Sequence, residues 1–208
     1  MQPAAFLFDL DGTLIDSLPL YEEAYLSAFA AHDLPLDTEA FRRDIYCKGL
    51  PLKSALAPRG AAHLAETIRV GRDAHYEHLL ATKLRWFPDA LPLLEALPPS
   101  IPRAIVTGSH RSYLEAIERC LPLSKYFPTI ITADEMDPYF KPHPHGLFLA
   151  AQAFGIDPER CVYIGDQAFD MEAARNAKMP NILIARAFTP LYARDCADRV
   201  ITSLGELI

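Results

Sequence analysis

A short run of large apolar residues, Phe6-Leu7-Phe8, ends abruptly in Asp9-Leu10-Asp11-Gly12-Thr13. The run reads as a buried strand over 4–10, with a glycine and small hydroxyl residues breaking it. Carboxylates at the end of a buried strand are costly unless something compensates their charge. A divalent cation would do so, and carboxylates in such a position serve best as Mg²⁺ ligands or as nucleophiles. The bland alternative for Asp11-Gly12 is turn or capping chemistry.

No second strand is expected before residue 85. Tyr21, Ala24, Tyr25, Ala28 and Phe29 recur at helical spacing, and Pro35, Pro51, Pro58 and Gly60 punctuate residues 18–84 into about four helices. Beyond Trp86 the pattern alternates. Helices are expected over 89–97, 110–120, 144–154 and 169–177, and strands over 102–107, 129–132, 160–164 and 181–185, with a further edge strand at 200–201. Such alternation implies an α/β fold, a parallel sheet covered by helices on both faces. The chain therefore divides into a core, residues 1–16 and 85–208, and an all-helical insertion, residues 17–84.

Length and charge limit the remaining choices. With 208 residues the chain can bury one substantial core plus a smaller module. A formal net charge of -7 disfavours nucleic acid or an anionic membrane as the main partner, while leaving room for a locally positive site. The four cysteines, Cys47, Cys120, Cys161 and Cys196, contain no CxxC pair and read as buried free thiols in a reducing cytoplasm. No basic leader followed by a cleavage site is visible, and no apolar run approaches the ~20 residues of a membrane helix.

Four polar signals fall at strand ends or in the loops after them: Asp9 with Asp11, Thr107-Gly108-Ser109, Lys141, and Asp166 with Asp170. In an open parallel sheet the binding crevice lies outside the carboxyl ends of the strands, so these segments should converge. Asp9 could attack phosphorus, and Asp11 could protonate a leaving oxygen and then activate water. Thr107 and neighbouring N–H groups could hold phosphoryl oxygens at a helix start. Lys141 could neutralise phosphate and Asp9. Asp166 and Asp170, four apart, fit one face of a helix start, and with Asp9 they make an oxygen-rich site suited to Mg²⁺. A helix cap, a solvated lysine and surface acids are the ordinary alternatives for each signal taken alone.

Taken together the four signals resemble the four ordered signatures of the haloacid dehalogenase superfamily: Asp9-Leu10-Asp11-Gly12-Thr13-Leu14, Thr107-Gly108-Ser109, Lys141-Pro142-His143-Pro144, and Gly165-Asp166-Gln167-Ala168-Phe169-Asp170. The resemblance implies a Rossmann-like doubly wound core with a helical cap inserted after the first strand. It implies Asp9 as nucleophile, Asp11 as general acid/base, and Thr107 and Lys141 as phosphoryl ligands. It also implies Mg²⁺ held by the Asp9 carboxylate, the Asp11 backbone carbonyl and Asp166, with support from Asp170.

Within that superfamily Asp11 argues against dehalogenation, whose members lack this acid. Asp16-Ser17-Leu18-Pro19 is typical of phosphoglycolate-phosphatase-like members, and the expectation is a phosphatase acting on a small phosphorylated metabolite, as a monomer or homodimer. A sugar phosphomutase, which this chain resembles at Lys48-Gly49, and a non-catalytic binding protein are the rivals. Tyr21 stands where the mutase has a histidine. Substrate selection is expected from the Lys48–Lys53 segment. Lys53 also suggests the Schiff-base lysine of a phosphonate hydrolase, although a surface lysine explains it. Arg42, Arg43 and Arg59 could read a second anionic group. The chain departs from the family pattern at Gln167, usually serine, at His145, often aspartate, and at Lys178, usually glycine. His143 and His145 read as incidental loop residues.

Overall fold

The computed structural model describes residues 3–46 and 51–208. The strands are β1 Ala5–Phe8, β2 Arg103–Val106, β3 Thr129–Ile131, β4 Cys161–Gly165, β5 Asn181–Ile184 and β6 Arg199–Ile201. They form one parallel sheet in the order β3-β2-β1-β4-β5-β6. The first strand is thus central, with β2 and β3 built outward on one side and β4 to β6 on the other. Strand order reverses between β1 and β4, where a crevice opens at the carboxyl ends.

All four residues of β1 are buried, as expected of a strand covered on both faces. Ala5 and Leu7 join Ala104, Val106, Leu147, Ala150, Tyr163, Ala173 and Met179 in a continuous core on one face. Phe8 packs edge-on against Phe127, with ring centroids 5.9 Å apart. The strand stops at Phe8, earlier than the apolar pattern suggested. The N–H groups of Thr13, Leu14 and Ile15 all turn back to the Leu10 carbonyl, so Leu10 already belongs to a loop.

The chain divides into two compact units, Met1–Asp16 with Arg85–Ile208, and Ser17–Leu84. In the first, the chain on either side of the insertion runs side by side. Asp16 N–H donates to the Arg85 carbonyl at 3.0 Å, and Phe87 N–H donates to Leu14 at 2.9 Å. The second unit has no strand among its described residues. Its long helices are Leu18–Ala30 and Ala65–Lys83. Tyr21, Tyr25, Phe41 and Tyr76 pack ring to ring, with Tyr21 4.9 Å from both Tyr25 and Tyr76. The buried Arg72 guanidinium lies 4.8 Å over the Tyr25 ring.

Among Cys120, Cys161 and Cys196 no disulfide forms. Only Cys161 is buried, so the expectation of uniformly buried thiols fails for the other two; Cys47 lies outside the described residues. Among the described residues no helix is long and apolar enough to cross a membrane.

Four helical segments end by one device. After each, a residue at positive φ donates its N–H three residues back, and the next N–H reaches five residues back. Asp33, Gly60, Gly155 and Lys178 occupy the positive-φ position, the place where helix ends favour glycine. At Lys178, with φ 55°, the donors are Lys178 N–H to Arg175 and Met179 N–H to Ala174, at 3.0 and 2.8 Å. The unusual lysine therefore keeps the glycine geometry instead of altering it. Lys178→Gly is expected to stabilise the protein by roughly 0.5–1 kcal/mol, read as a raised midpoint in urea. A lowered midpoint would show that the lysine side chain contributes more than its backbone strain costs.

Candidate active site

The loops that follow β1, β2 and β4 bring Asp9, Thr107 and Asp166 to one edge of the sheet because their strands are immediate neighbours. Asp9 N–H still bonds to the Ile164 carbonyl at 2.8 Å, which locks the first loop against the end of β4. Lys141 arrives from the loop between the short helix Ala133–Met136, which follows β3, and the helix His145–Phe154. Asp170 comes from the first turn of the helix Ala168–Asn176.

These side chains meet in a buried ion cluster. The Lys141 ammonium lies 2.7 Å from Asp9 Oδ1 and 2.7 Å from Asp170 Oδ1. The Lys141 side chain is 5% exposed, that of Asp9 7% and that of Asp170 0%. Lysine and aspartate are almost never found so buried unless paired. Asp170 also accepts the Gln167 N–H at 3.0 Å, closing a capping box with Gln167. Asp170 therefore caps its helix and at the same time joins the ion cluster of Lys141 and Asp9. Asp166 follows the end of β4, as expected of the strand's terminal Gly-Asp. It lies in the turn between β4 and the helix, because the helix begins only at Ala168.

Asp9, Asp166 and Asp170 offer carboxylate oxygens within 4.8 Å of one another, and all three are buried. With all three carboxyls ionised, one ammonium would leave two negative charges uncompensated in a desolvated space. Asp166 Oδ1 is buried and has no hydrogen-bond partner, while its Oδ2 accepts from Gln167 Nε2 at 2.6 Å. Burial, then the neighbouring Asp170 and Asp11, pushes the Asp9 carboxyl up to about 7 in spite of Lys141. Burial, then Asp9 and Asp170, holds Asp166 well above the usual carboxylate range. Burial works against the Lys141 charge, yet Asp170 and Asp9 hold it well above an ordinary lysine. An all-oxygen donor set, more carboxyls than the one ammonium can compensate and an orphaned buried oxygen fit a hard divalent cation such as Mg²⁺.

Two glycines make room for this cluster. A Cβ on Gly12, whose φ is 80°, would sit 2.6 Å from Asp166 Oδ2. A Cβ on Gly165 would sit 2.6 Å from the Asp170 side chain. Both substitutions would push a carboxylate out of position.

Asp11 occupies different surroundings. It is half-buried, and its Oδ2 accepts the hydroxyls of Ser109 at 2.7 Å and Thr107 at 3.2 Å. Ser109 N–H in turn donates to Thr107 Oγ1 at 3.0 Å. The segment Thr107-Gly108-Ser109 thus holds Asp11 here, with Gly108 exposed.

Sequence reasoning missed two supports. Tyr163 in β4 lies behind Lys141, with its phenol oxygen 2.9 Å from the ammonium. Arg186 donates to the Thr13 carbonyl at 3.1 Å while paired with Asp89, stacked 4.1 Å over Phe87. It ties the first loop to the end of β5. The tyrosine alone carried a signal, a phenol on a strand otherwise apolar.

Other expected residues stand apart. Lys48 lies outside the described residues. Lys53 lines an open hollow in the Ser17–Leu84 unit with Leu52, Ala62, His63, Glu66 and Arg69. Arg42 pairs with Glu22, Arg43 with Asp44, and Arg59 bonds the Ala55 carbonyl. His143 and His145 stack with Tyr139, 4.7 and 5.6 Å away.

Residues 3–178 match the family described as haloacid dehalogenase-like hydrolase. A phosphoglycolate phosphatase of Xanthomonas campestris pv. campestris is 33% identical, covering 86% of this chain and 82% of that protein. The fructose-1-phosphate phosphatase YqaB of Escherichia coli K12 is 28% identical, covering 85% and 93%. The crystal structure of CbbY from Rhodobacter sphaeroides in complex with phosphate superposes with a TM-score of 0.82 at 27% identity, covering 99% and 96%.

The raised Asp9 and Asp166 carboxyls set a pH signature for the metal-free protein. A carboxyl raised on folding keeps its proton in the native state after the unfolded chain has released it. Native protein then binds more protons, and stability falls as pH rises from the model-peptide range near 4 through about 7. Melting in EDTA is expected to occur at lower temperature at about pH 7.5 than at about pH 5.5. If the acidic cluster takes a divalent cation, added Mg²⁺ should raise the melting temperature more at the higher pH, because metal ligation needs ionised carboxylates. A metal-free melting temperature that climbs across this interval would contradict the charge assignment.

Proposed function

Because the chain belongs to the haloacid dehalogenase-like hydrolase family and is a phosphoric monoester hydrolase by its kinship with phosphatases, we propose that it hydrolyses a small phosphate monoester through an Asp9 aspartyl-phosphate. The observation that carries this reading is the unequal environment of two acids two residues apart. Asp9 is buried against an ammonium and two further carboxylates, whereas Asp11 is half-exposed and held by two hydroxyls. Paired carboxylates in divergent surroundings are how one site assigns nucleophile and acid/base to the same residue type.

In the first step an Asp9 oxygen attacks phosphorus and the bond to the leaving alcohol oxygen breaks. Asp11 gives that oxygen its proton. In the second step Asp11 takes a proton from water as the water oxygen attacks phosphorus, and the bond from phosphorus to Asp9 breaks. Free phosphate and both starting carboxyl states result. Lys141 carries positive charge into the place where phosphoryl oxygens gather, and Thr107 and Ser109 offer hydroxyl donors beside it. Asp9, Asp166 and Asp170, with the Asp11 backbone carbonyl, would hold Mg²⁺, which supplies charge neutralisation for the trianionic transition state. The Ser17–Leu84 unit is the cap of this reading, and Lys48 and Lys53 select the organic part of the substrate.

Relatives named for phosphoglycolate and for fructose 1-phosphate support the class of substrate and differ in its organic group. The structural relative solved with phosphate supports the same chemistry. The reading is tested by phosphate release from a panel of phosphorylated metabolites with Mg²⁺. Asp9→Asn should lower kcat by about 10⁴-fold or more while the protein keeps its circular dichroism spectrum. Asp11→Asn should do the same for alkyl esters and less for aryl esters, whose leaving groups need no proton. Near-normal turnover by Asp9→Asn would remove the proposal, and an isomerised sugar phosphate in place of free phosphate would favour the mutase.

A further inference from the structure

We propose that Tyr163 is a positioning residue for Lys141: its phenol oxygen takes the ammonium N–H that the two carboxylates leave unused and fixes the direction from which Lys141 meets Asp9. An ammonium has three N–H donors and no acceptor. Asp9 Oδ1 at 2.7 Å and Asp170 Oδ1 at 2.7 Å take two of them. Tyr163 Oη at 2.9 Å takes the third, with the Val106 carbonyl only at 3.4 Å.

The phenol is oriented as well as near. Its own O–H has two acceptors within reach, the Val106 carbonyl at 3.0 Å and Asp170 Oδ1 at 3.2 Å, both already placed beside Lys141. With its proton given to either acceptor, the phenol oxygen accepts from Lys141 at 2.9 Å. Tyr163 is 0% exposed, so bulk water cannot stand in for its oxygen. Its backbone is fixed by pairing with Leu7 of β1 and by an N–H bond to the Pro180 carbonyl at 2.9 Å. Lys141, by contrast, sits on a loop at the end of a flexible four-carbon stem. The rigid partner is the tyrosine, and Lys141 is the group that needs one.

The acceptor's neutrality matters too. A third carboxylate on Lys141 would add negative charge to a cluster already in excess, and an apolar side chain would leave a buried N–H unmade. A phenol satisfies the donor without changing the charge. It also joins β4 to the last residue of β2, directly before Thr107, so Lys141 and Thr107 keep their spacing.

The kinetic consequence rests on the phosphatase reading, whereas the geometric one does not. Tyr163→Phe is expected to lower kcat about tenfold with KM changed less than about twofold, as for loss of a transition-state contact. In ¹⁵N spectra of the metal-free protein, the Lys141 Nζ–H signal should exchange with water about tenfold faster in the variant. Tyr163→Met, which fills the space without an oxygen, should give the same pair of changes if the phenylalanine variant fails to fold. Unchanged exchange in a folded variant overturns the proposal whether or not the enzyme turns over, and so does unchanged kcat. Wild-type protein that releases no phosphate, with exchange still accelerated in the variant, would sustain the positioning role and remove the phosphatase reading instead.

Discussion

The Lys141 ammonium, held between Asp9 and Asp170 at 2.7 Å each, is the interaction around which the rest of the site is arranged. Three buried carboxylates cannot share one desolvated space without a cation, and the idealised cost of a bare buried charge far exceeds the stability of a whole domain. Lys141 compensates part of that charge. The remainder explains why Asp9 and Asp166 are pushed toward their protonated forms and why Asp166 Oδ1 is left without a partner. A site that is electrostatically incomplete in the protein alone is one built to be completed by a ligand.

The sheet makes this cluster possible at little extra cost. With β1 central and flanked by β2 and β4, three loops emerge side by side at the strands' carboxyl ends. Glycines at 12 and 165 let backbone approach the Asp166 and Asp170 side chains to within distances no Cβ would permit. Arg186 braces the first loop through the Thr13 carbonyl, and Asp89 holds Arg186 in turn. Rigid strands and short braced loops hold the acids in place, as a preorganised electrostatic site requires.

Much of this was legible because burial and polarity conflict in the sequence. Asp9, Thr107 and Asp166 each follow an apolar run, so the strand ends, and with them one edge of the sheet, could be read directly. The strands and the longer helices from Trp86 onward followed from the change of period, whereas the four-residue helices Leu123–Tyr126 and Ala133–Met136 are too short to show a period. Asp166 follows β4 directly, as the strand ending in Gly-Asp implied, and Asp170 lies in the first turn of the helix after it. Tyr163 showed only as a phenol on an apolar strand and Arg186 not at all, and the contacts of both were hidden for another reason. Their partners, Lys141 and Thr13, lie 22 and 173 residues away, and no local pattern reports such contacts. At Lys178 the sequence signalled an anomaly, and the backbone kept the glycine conformation regardless.

On the proposed mechanism Asp9 accepts the phosphoryl group as an acyl phosphate, with Lys141 and the neighbouring acids arranged around it. Rapid acid quench of the enzyme during turnover of a phosphate monoester with Mg²⁺, followed by peptide mapping, tests this directly. A phosphoryl group on the peptide carrying Asp9, released by hydroxylamine as an acyl phosphate is, is the predicted result. Steady release of phosphate with no phosphoryl group on that peptide at any quench time, under conditions that preserve acyl phosphates, would contradict it.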